Sequence, residues 1–265
     1  MFKSLIPLLA IAGSTQFFTP PVNHQSIEPM NEQNSSISLS PKEAIMKLDT
    51  ILVFTPYLDG KPQSFKYNVK GKERDVYFAA FSVSAIDKLK RDILSKIQID
   101  VQSTAFKPAS LAVFDSKIRE LRTNSKEDFD VVFIPDPDQI EVAQRLLLKQ
   151  GYPENKVDFA LNNSPMIFCT KPSIILKNND QSDNTSIPCS TDYKTIKNIV
   201  DMTKPTKKNW FSKGIKPEVI ALTLNQFIET LNNSEDPSVK ELRVIPTPSS
   251  VNVINEVIKM KEQAK

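Results

Sequence analysis

Apolar residues in this chain fall into two kinds of run. Short continuous runs have the length and composition of buried strands: Ile51-Leu52-Val53-Phe54, Val76-Tyr77-Phe78-Ala79-Ala80-Phe81, Val131-Val132-Phe133-Ile134 and Met166-Ile167-Phe168-Cys169. Between them, apolar positions recur every three or four residues and predict amphipathic helices. Such faces are Ile86, Leu89 and Ile93; Leu111, Phe114 and Ile118; Ile140, Ala143 and Leu147; and Tyr193, Ile196 and Val200. Phe227, Ile228 and Leu231, and then Val251, Ile254 and Ile258, add two more. Further strands are expected over 99–106 and 219–224, and the Gly60- and Gly71-punctuated stretch 57–77 reads as a hairpin.

Capping signals fix where several helices begin. Ser40-Pro41-Lys42-Glu43 is a capping box with proline at the first helical position. Asp136-Pro137 opens a helix that Gly151 is placed to end, and Thr247-Pro248 opens another. Both of these helices follow an apolar string ending in Ile-Pro-x-Pro: Ile134-Pro135-Asp136-Pro137 and Ile245-Pro246-Thr247-Pro248. The same order of strands and helices therefore occurs twice. The expectation is an α/β chain of the α+β type with two tandem pseudo-symmetric halves, 38–151 and 152–265. Each half is a small sheet packed with helices.

Composition narrows the chemistry. Charged residues are 25% and hydrophobic ones 40% of the 265, which suits a folded globular chain. The net charge of +3 is too small to argue for a nucleic-acid partner. The five glycines are scattered, so no phosphate-cradling loop and no dinucleotide fingerprint can be assembled. One histidine, His24, lies in a polar Pro-rich stretch, which does not read as a rigid support beside a nucleophile. Two cysteines and one histidine do not make a usual zinc site. No catalytic, cofactor or metal residues are expected. Asp136 and Asp138 read as a helix cap and a first-turn acid rather than as an acid–base pair.

The first residues, MFKSLIPLLAIA, have the layout of a short secretory signal: one lysine, an apolar run, then small residues. A signal peptide over 1–18 and a Pro-, Asn-, Gln- and Ser-rich linker over 19–37 are expected.

Three features invite a functional reading beside a plain one. Cys169 and Cys189 lie on matched strands, either bridged in an oxidising compartment or two small buried residues. Lys207 and Lys208 flank Trp210 and Phe211, as a patch for acidic headgroups or as a solvated loop with its rings tucked in. Tyr57, Phe65 and Tyr67 could grip an unfolded client if exposed, or stabilise the hairpin by cross-strand packing.

One ordered series of short motifs runs from about Ser40 to the end of the chain: Ile51-Leu52-Val53-Phe54-Thr55 with Asp59-Gly60-Lys61-Pro62, Tyr77-Phe78-Ala79-Ala80-Phe81-Ser82 and Ser110-Leu111-Ala112-Val113-Phe114. Phe133-Ile134-Pro135, Ser164-Pro165-Met166-Ile167-Phe168, Ile187-Pro188 and the closing Ile245-Pro246-Thr247-Pro248 complete it. In this order they resemble the Tic-twenty-two family, the intermembrane-space component of chloroplast protein import and its cyanobacterial periplasmic relatives. The resemblance implies a non-enzymatic, chaperone-like escort of precursor or outer-membrane proteins. Its implied partners are unfolded chains and the outer-membrane assembly or translocation machinery, with no nucleic acid and at most peripheral membrane contact. The implied compartment is the periplasm or thylakoid lumen, or the plastid intermembrane space in organellar relatives. An exported enzyme of carboxylate or Ser/Lys chemistry, or a membrane-surface tether, is the alternative.

Overall fold

The computed structural model describes residues 39, 41–58, 61–69, 71–97, 104–124, 128–171, 174, 176–177, 185–203, 217–234 and 237–263. The expected signal peptide, linker, Ser40 cap and Lys207–Phe211 patch lie outside these described residues.

In chain order the first half contains α1 (Pro41–Lys47), β1 (Leu52–Leu58), β2 (Lys61–Pro62), β3 (Ser64–Val69), β4 (Lys72–Ala80), α2 (Val83–Asp92), β5 (Ala105–Ser110), α3 (Leu111–Asn124) and β6 (Phe129–Ile134). Next come α4 (Ile140–Lys149), α5 (Glu154–Asn163), β7 (Met166–Lys171), β8 (Leu176–Lys177), β9 (Thr185–Ser190) and α6 (Tyr193–Met202). The chain finishes with β10 (Glu218–Thr223), α7 (Leu224–Asn233), β11 (Leu242–Val244) and α8 (Pro248–Gln263).

Two sheets result, and their pairing schemes match. In the first, β1 is antiparallel to both β5 and β4, and β4 is parallel to β6. In the second, β7 is antiparallel to both β10 and β9, and β9 is parallel to β11. The registers align the halves residue by residue. Phe54 sits opposite Ala80 and Pro108, and Phe168 sits opposite Ser190 and Ala221. The β3–β4 hairpin extends the first sheet, with Gly71 supplying the positive φ of 81° that its tight turn requires. The chain is thus two sheet-and-helix halves whose core strands pair in the same scheme.

Alternation along the strands decides which core each side chain enters. Val53, Ala79, Ile167 and Cys169 point into a central core shared by the two sheets, which α3 and α7 fill with Leu111, Phe114, Phe227 and Leu231. Their neighbours Phe54, Phe78 and Ala80 face the opposite side of the first sheet, where α2 covers them with Ala85, Ile86 and Leu89. Phe168 and Ala221 face the opposite side of the second sheet, under α4, α5 and α6. Chain order and packing part company here. α4 follows the last strand of the first sheet, yet buries Ala143 and Leu147 on the second.

Two elements differ from expectation. The strand expected over 99–106 runs on to Ser110, with Pro108 inside it, and is described from Ala105; residues 99–103 lie outside the described residues. Leu111 N–H donates to Ile51 O, which turns Phe106, Pro108 and Ser110 away from β1. Proline's missing donor therefore falls on the outer edge, where a strand tolerates it. Helix α5 is the second difference, because no element was expected between Gly151 and the β7 strand. Pro153 stands at its N-cap, and its carbonyl accepts from Val157 N–H.

Candidate functional site

Among the described residues, the packing of these elements forms two concavities that bear on function. The first is a crevice where the halves meet, lined by Phe81, Asp136, Gln139, Leu161, Met166 and Thr191 among others. Helix starts converge on it. Ser82 caps α2, accepting from Ala85 N–H, and the corresponding Asp192 caps α6, accepting from Lys194 and Thr195 N–H. Asp136 accepts from Asp138 N–H at 3.0 Å. Gln139 joins the halves: its amide nitrogen donates to Asp192, and its carbonyl oxygen accepts from Tyr193 N–H.

Burial pushes the Asp136 carboxyl above its usual range. Hydrogen bonds from Asp138 N–H and Ser82 work against that rise, and the charges of Asp138 and Asp192 add to it. A displaced carboxylate in a crevice is a reason to ask about acid–base chemistry. The space answers it: about 10 Å³ is open, room for a single water. Asp136 and Asp192 cap helix starts, and Asp138 accepts from the Ser84 hydroxyl at 2.8 Å.

The second concavity is larger, about 320 Å³. Gly151, at φ 88°, turns the chain sharply after α4, so that Tyr152 and α5 fold back beside it. Leu147, Tyr152, Val157, Phe159 and Ala160 make the apolar wall, and Lys156 is the charged group of the lining. Thr223 and Gln226, which form the capping box at the start of α7, close the far side. Gln226 also donates from its amide to the Tyr152 hydroxyl at 2.9 Å. Phe159 is 52% exposed and Leu148, on the neighbouring helix, 43% exposed. A cleft with apolar walls, a ring at its lip and one cation at its side accepts an apolar side chain of another molecule.

The sequence-selected residues that are described lie elsewhere. Cys169 and Cys189 sit opposite one another on β7 and β9, with their sulfurs bonded at 2.06 Å and both residues buried in the central core. The corresponding position to Cys169 in the first sheet is Thr55, whose hydroxyl donates to Phe78 O across the same strand gap. Phe65 is buried, its ring 6.0 Å from that of Phe78. Tyr67 stands edge-on to Phe78 at 6.1 Å and is half-buried, which raises the pKa of its hydroxyl by desolvation. Tyr57 lies apart from both, under the ammonium of Lys107. These three rings form no common exposed surface; two of them are hairpin core. Among the described residues no group of three or more acidic, histidine or cysteine side chains could hold a metal ion. No described helix is long and apolar enough to cross a membrane.

No family model and no curated protein sequence matches the chain. Solved structures do. Anabaena Tic22, described as a protein of protein transport, superimposes with a TM-score of 0.62 and 18% identity over 82% of this chain and 97% of that one. Tic22 from Plasmodium falciparum superimposes with a TM-score of 0.58 and 14% identity, over 80% and 96%. The chain has the Tic22 fold. At such identities it is the backbone arrangement that is shared. The cleft residues of this Tic22-like chain were not singled out in its sequence. Val157 and Leu161, four apart after a proline, were the available signal for the helix that forms the cleft wall.

Proposed function

We propose that this chain is a non-enzymatic protein-transport factor that shields unfolded or precursor polypeptides, outer-membrane proteins among them, in an aqueous space between membranes. The observation that carries the proposal is the likeness of its fold to Anabaena Tic22, a protein of protein transport, over nearly the whole of that chain. The cleft between α4, α5 and the start of α7 supports it, since apolar walls and an exposed Phe159 suit an apolar client side chain. On this reading residues 1–18 are an export signal, and the working compartment is the periplasm or thylakoid lumen. Translocation or assembly components of the outer membrane are then its partners.

The test is an aggregation assay. Purified protein lacking residues 1–18 is added to a denatured outer-membrane barrel protein on dilution from urea, and light scattering is followed. Suppression near stoichiometric ratio, weakened several-fold by Phe159→Asp, is the expected result. Scattering unchanged at tenfold excess (a ratio on the order of ten, well above one client per cleft) rejects the proposal.

A further inference from the structure

In the larger cleft, the polar side chains that can accept a hydrogen bond already do so. The Gln226 carbonyl oxygen accepts from Thr223 N–H at 2.9 Å, and the Thr223 hydroxyl accepts from Gln226 N–H at 3.2 Å. The Tyr152 oxygen accepts from the Gln226 amide at 2.9 Å. The capping box of α7 thus fixes one wall of the cleft, and no carboxylate stands in the lining. Glu154 and Asp158, the acids of α5 on either side of Lys156, lie outside it.

The donors are in the opposite condition. No described group accepts from the Tyr152 hydroxyl, the Thr223 hydroxyl or the Lys156 ammonium, and no described acid pairs with that ammonium. The Gln226 amide also keeps a second hydrogen to give. One exposed lysine alone would signal nothing. Three kinds of donor around an apolar hollow, with no acceptor left to match them, do. Solvent serves such donors while the cleft is open. A purely apolar ligand would strip that water and leave them unmatched, whereas a ligand bringing its own acceptor would not.

We infer that the cleft receives the C-terminal residue of a client polypeptide, its large apolar side chain against Leu147, Val157 and Phe159 and its terminal carboxylate toward Lys156, Tyr152 and Thr223. This rests on the proposed transport role and names the part of the client that the cleft takes. An anion is the match because a charged acceptor makes the strongest hydrogen bonds to an ammonium and to hydroxyls. Size selects the terminus. The volume of about 320 Å³ is at the small end of ligand pockets, which run to roughly 300–1,000 Å³. A chain's last residue carries a carboxylate and an apolar side chain together. An internal Asp or Glu must borrow its apolar group from a neighbour, with further peptide groups to desolvate.

Fluorescence anisotropy of the full chain with labelled peptides tests this. One peptide, Gly-Ser-Gly-Ser-Gly-Phe, ends in a free carboxylate, and a second is its C-terminal amide. A third, Gly-Ser-Gly-Asp-Phe-Ser amide, moves the carboxylate to a side chain. The first should bind about tenfold tighter than either of the others. Lys156→Gln should remove most of that preference while leaving the amide's affinity unchanged, a coupling that a direct contact gives and a general loss of structure does not. Tyr152→Phe should reduce the preference as well. Equal affinity for carboxylate and amide overturns the anion, and equal affinity for the first and third peptides overturns the terminus. A preference untouched by both substitutions, or no binding of the first peptide at about 1 mM, overturns the cleft as its site. Decanoate that displaces the first peptide at a lower concentration than the unlabelled peptide does overturns the polypeptide as occupant. The aggregation assay separates this from the broader reading. Suppression together with equal affinity for carboxylate and amide rejects the terminus and leaves the transport role standing. Selective peptide binding without suppression rejects the transport role and leaves the terminus site.

Discussion

Gln150 holds Ala221 by both ends of a single amide: Ala221 N–H donates to Oε1 at 2.8 Å, and Nε2 donates to Ala221 O at 3.0 Å. The side chain takes the place that the peptide group of one more strand would occupy. An edge strand that would otherwise offer a free donor and acceptor is thereby closed. Gln150→Ala should cost about 1–2 kcal/mol in urea unfolding, the usual worth of two part-buried hydrogen bonds. Gln150→Glu, which keeps the shape but loses the donor, should cost more. A chain as stable as the parent after either change would show that water serves that edge equally well.

The first sheet solves the same problem with Pro108, and that difference shows what the sequence could and could not reveal. Helix starts at Asp136-Pro137 and Thr247-Pro248 were legible because a cap is a local device, made by residues two or three apart. The two-half order was legible for a related reason, since each strand announces itself by a run of apolar residues. What covers a helix face was not legible. The Ala143 and Leu147 stripe says that one side of α4 is buried, but nothing in it says that the burial is on the other sheet. That β5 runs past 106 was not legible, because a proline argues against a strand unless its missing donor faces outward, as that of Pro108 does. Of the cleft, Phe159 carries no signal at all: a lone aromatic between Asp158 and Ala160 reads the same whether exposed or buried.

Reduction should leave the Cys169–Cys189 bridge intact until the protein unfolds, because both residues lie in the central core and a thiolate cannot reach them. Alkylation with and without urea, read by mass spectrometry, checks this. The double substitution Cys169→Ala with Cys189→Ala should cost about 3 kcal/mol, the loop-closure entropy of a 20-residue separation. Labelling of either thiol in the folded, unreduced protein would contradict the bridge.

Asp136 gives a pH signature. Burial raises its folded pKa above the unfolded value, so the folded state binds the proton more tightly. Stability from this group is therefore greatest at acid pH and declines as pH rises from the unfolded pKa through the folded one. Asp136→Asn removes that dependence. Parent stability minus that of Asp136→Asn, measured by thermal unfolding from pH 3 to 7 (values spanning roughly the carboxylate range), should fall with rising pH. A flat or rising difference would mean that the hydrogen bonds from Asp138 N–H and Ser82 outweigh the burial.

Phe78 anchors the rings of both Phe65 and Tyr67 and is itself 1% exposed. Phe78→Ala should cost about 3–5 kcal/mol, enough to unfold a marginal domain. Phe78→Leu, which refills most of the space, should cost less than half of that. Similar losses from the two would indicate that ring–ring geometry, rather than filled volume, holds the hairpin to the sheet.

The central core has a consequence for how the chain is made. Val53 and Ala79 of the first sheet are covered by a core that also requires Phe227, Leu231 and Val244. A ribosome must therefore release almost the entire polypeptide before the first sheet can close its inner face. Contacts so distant in sequence form slowly. Until then the nascent chain remains threadable, which is the condition a polypeptide must keep if it is to pass through a narrow membrane pore before it folds.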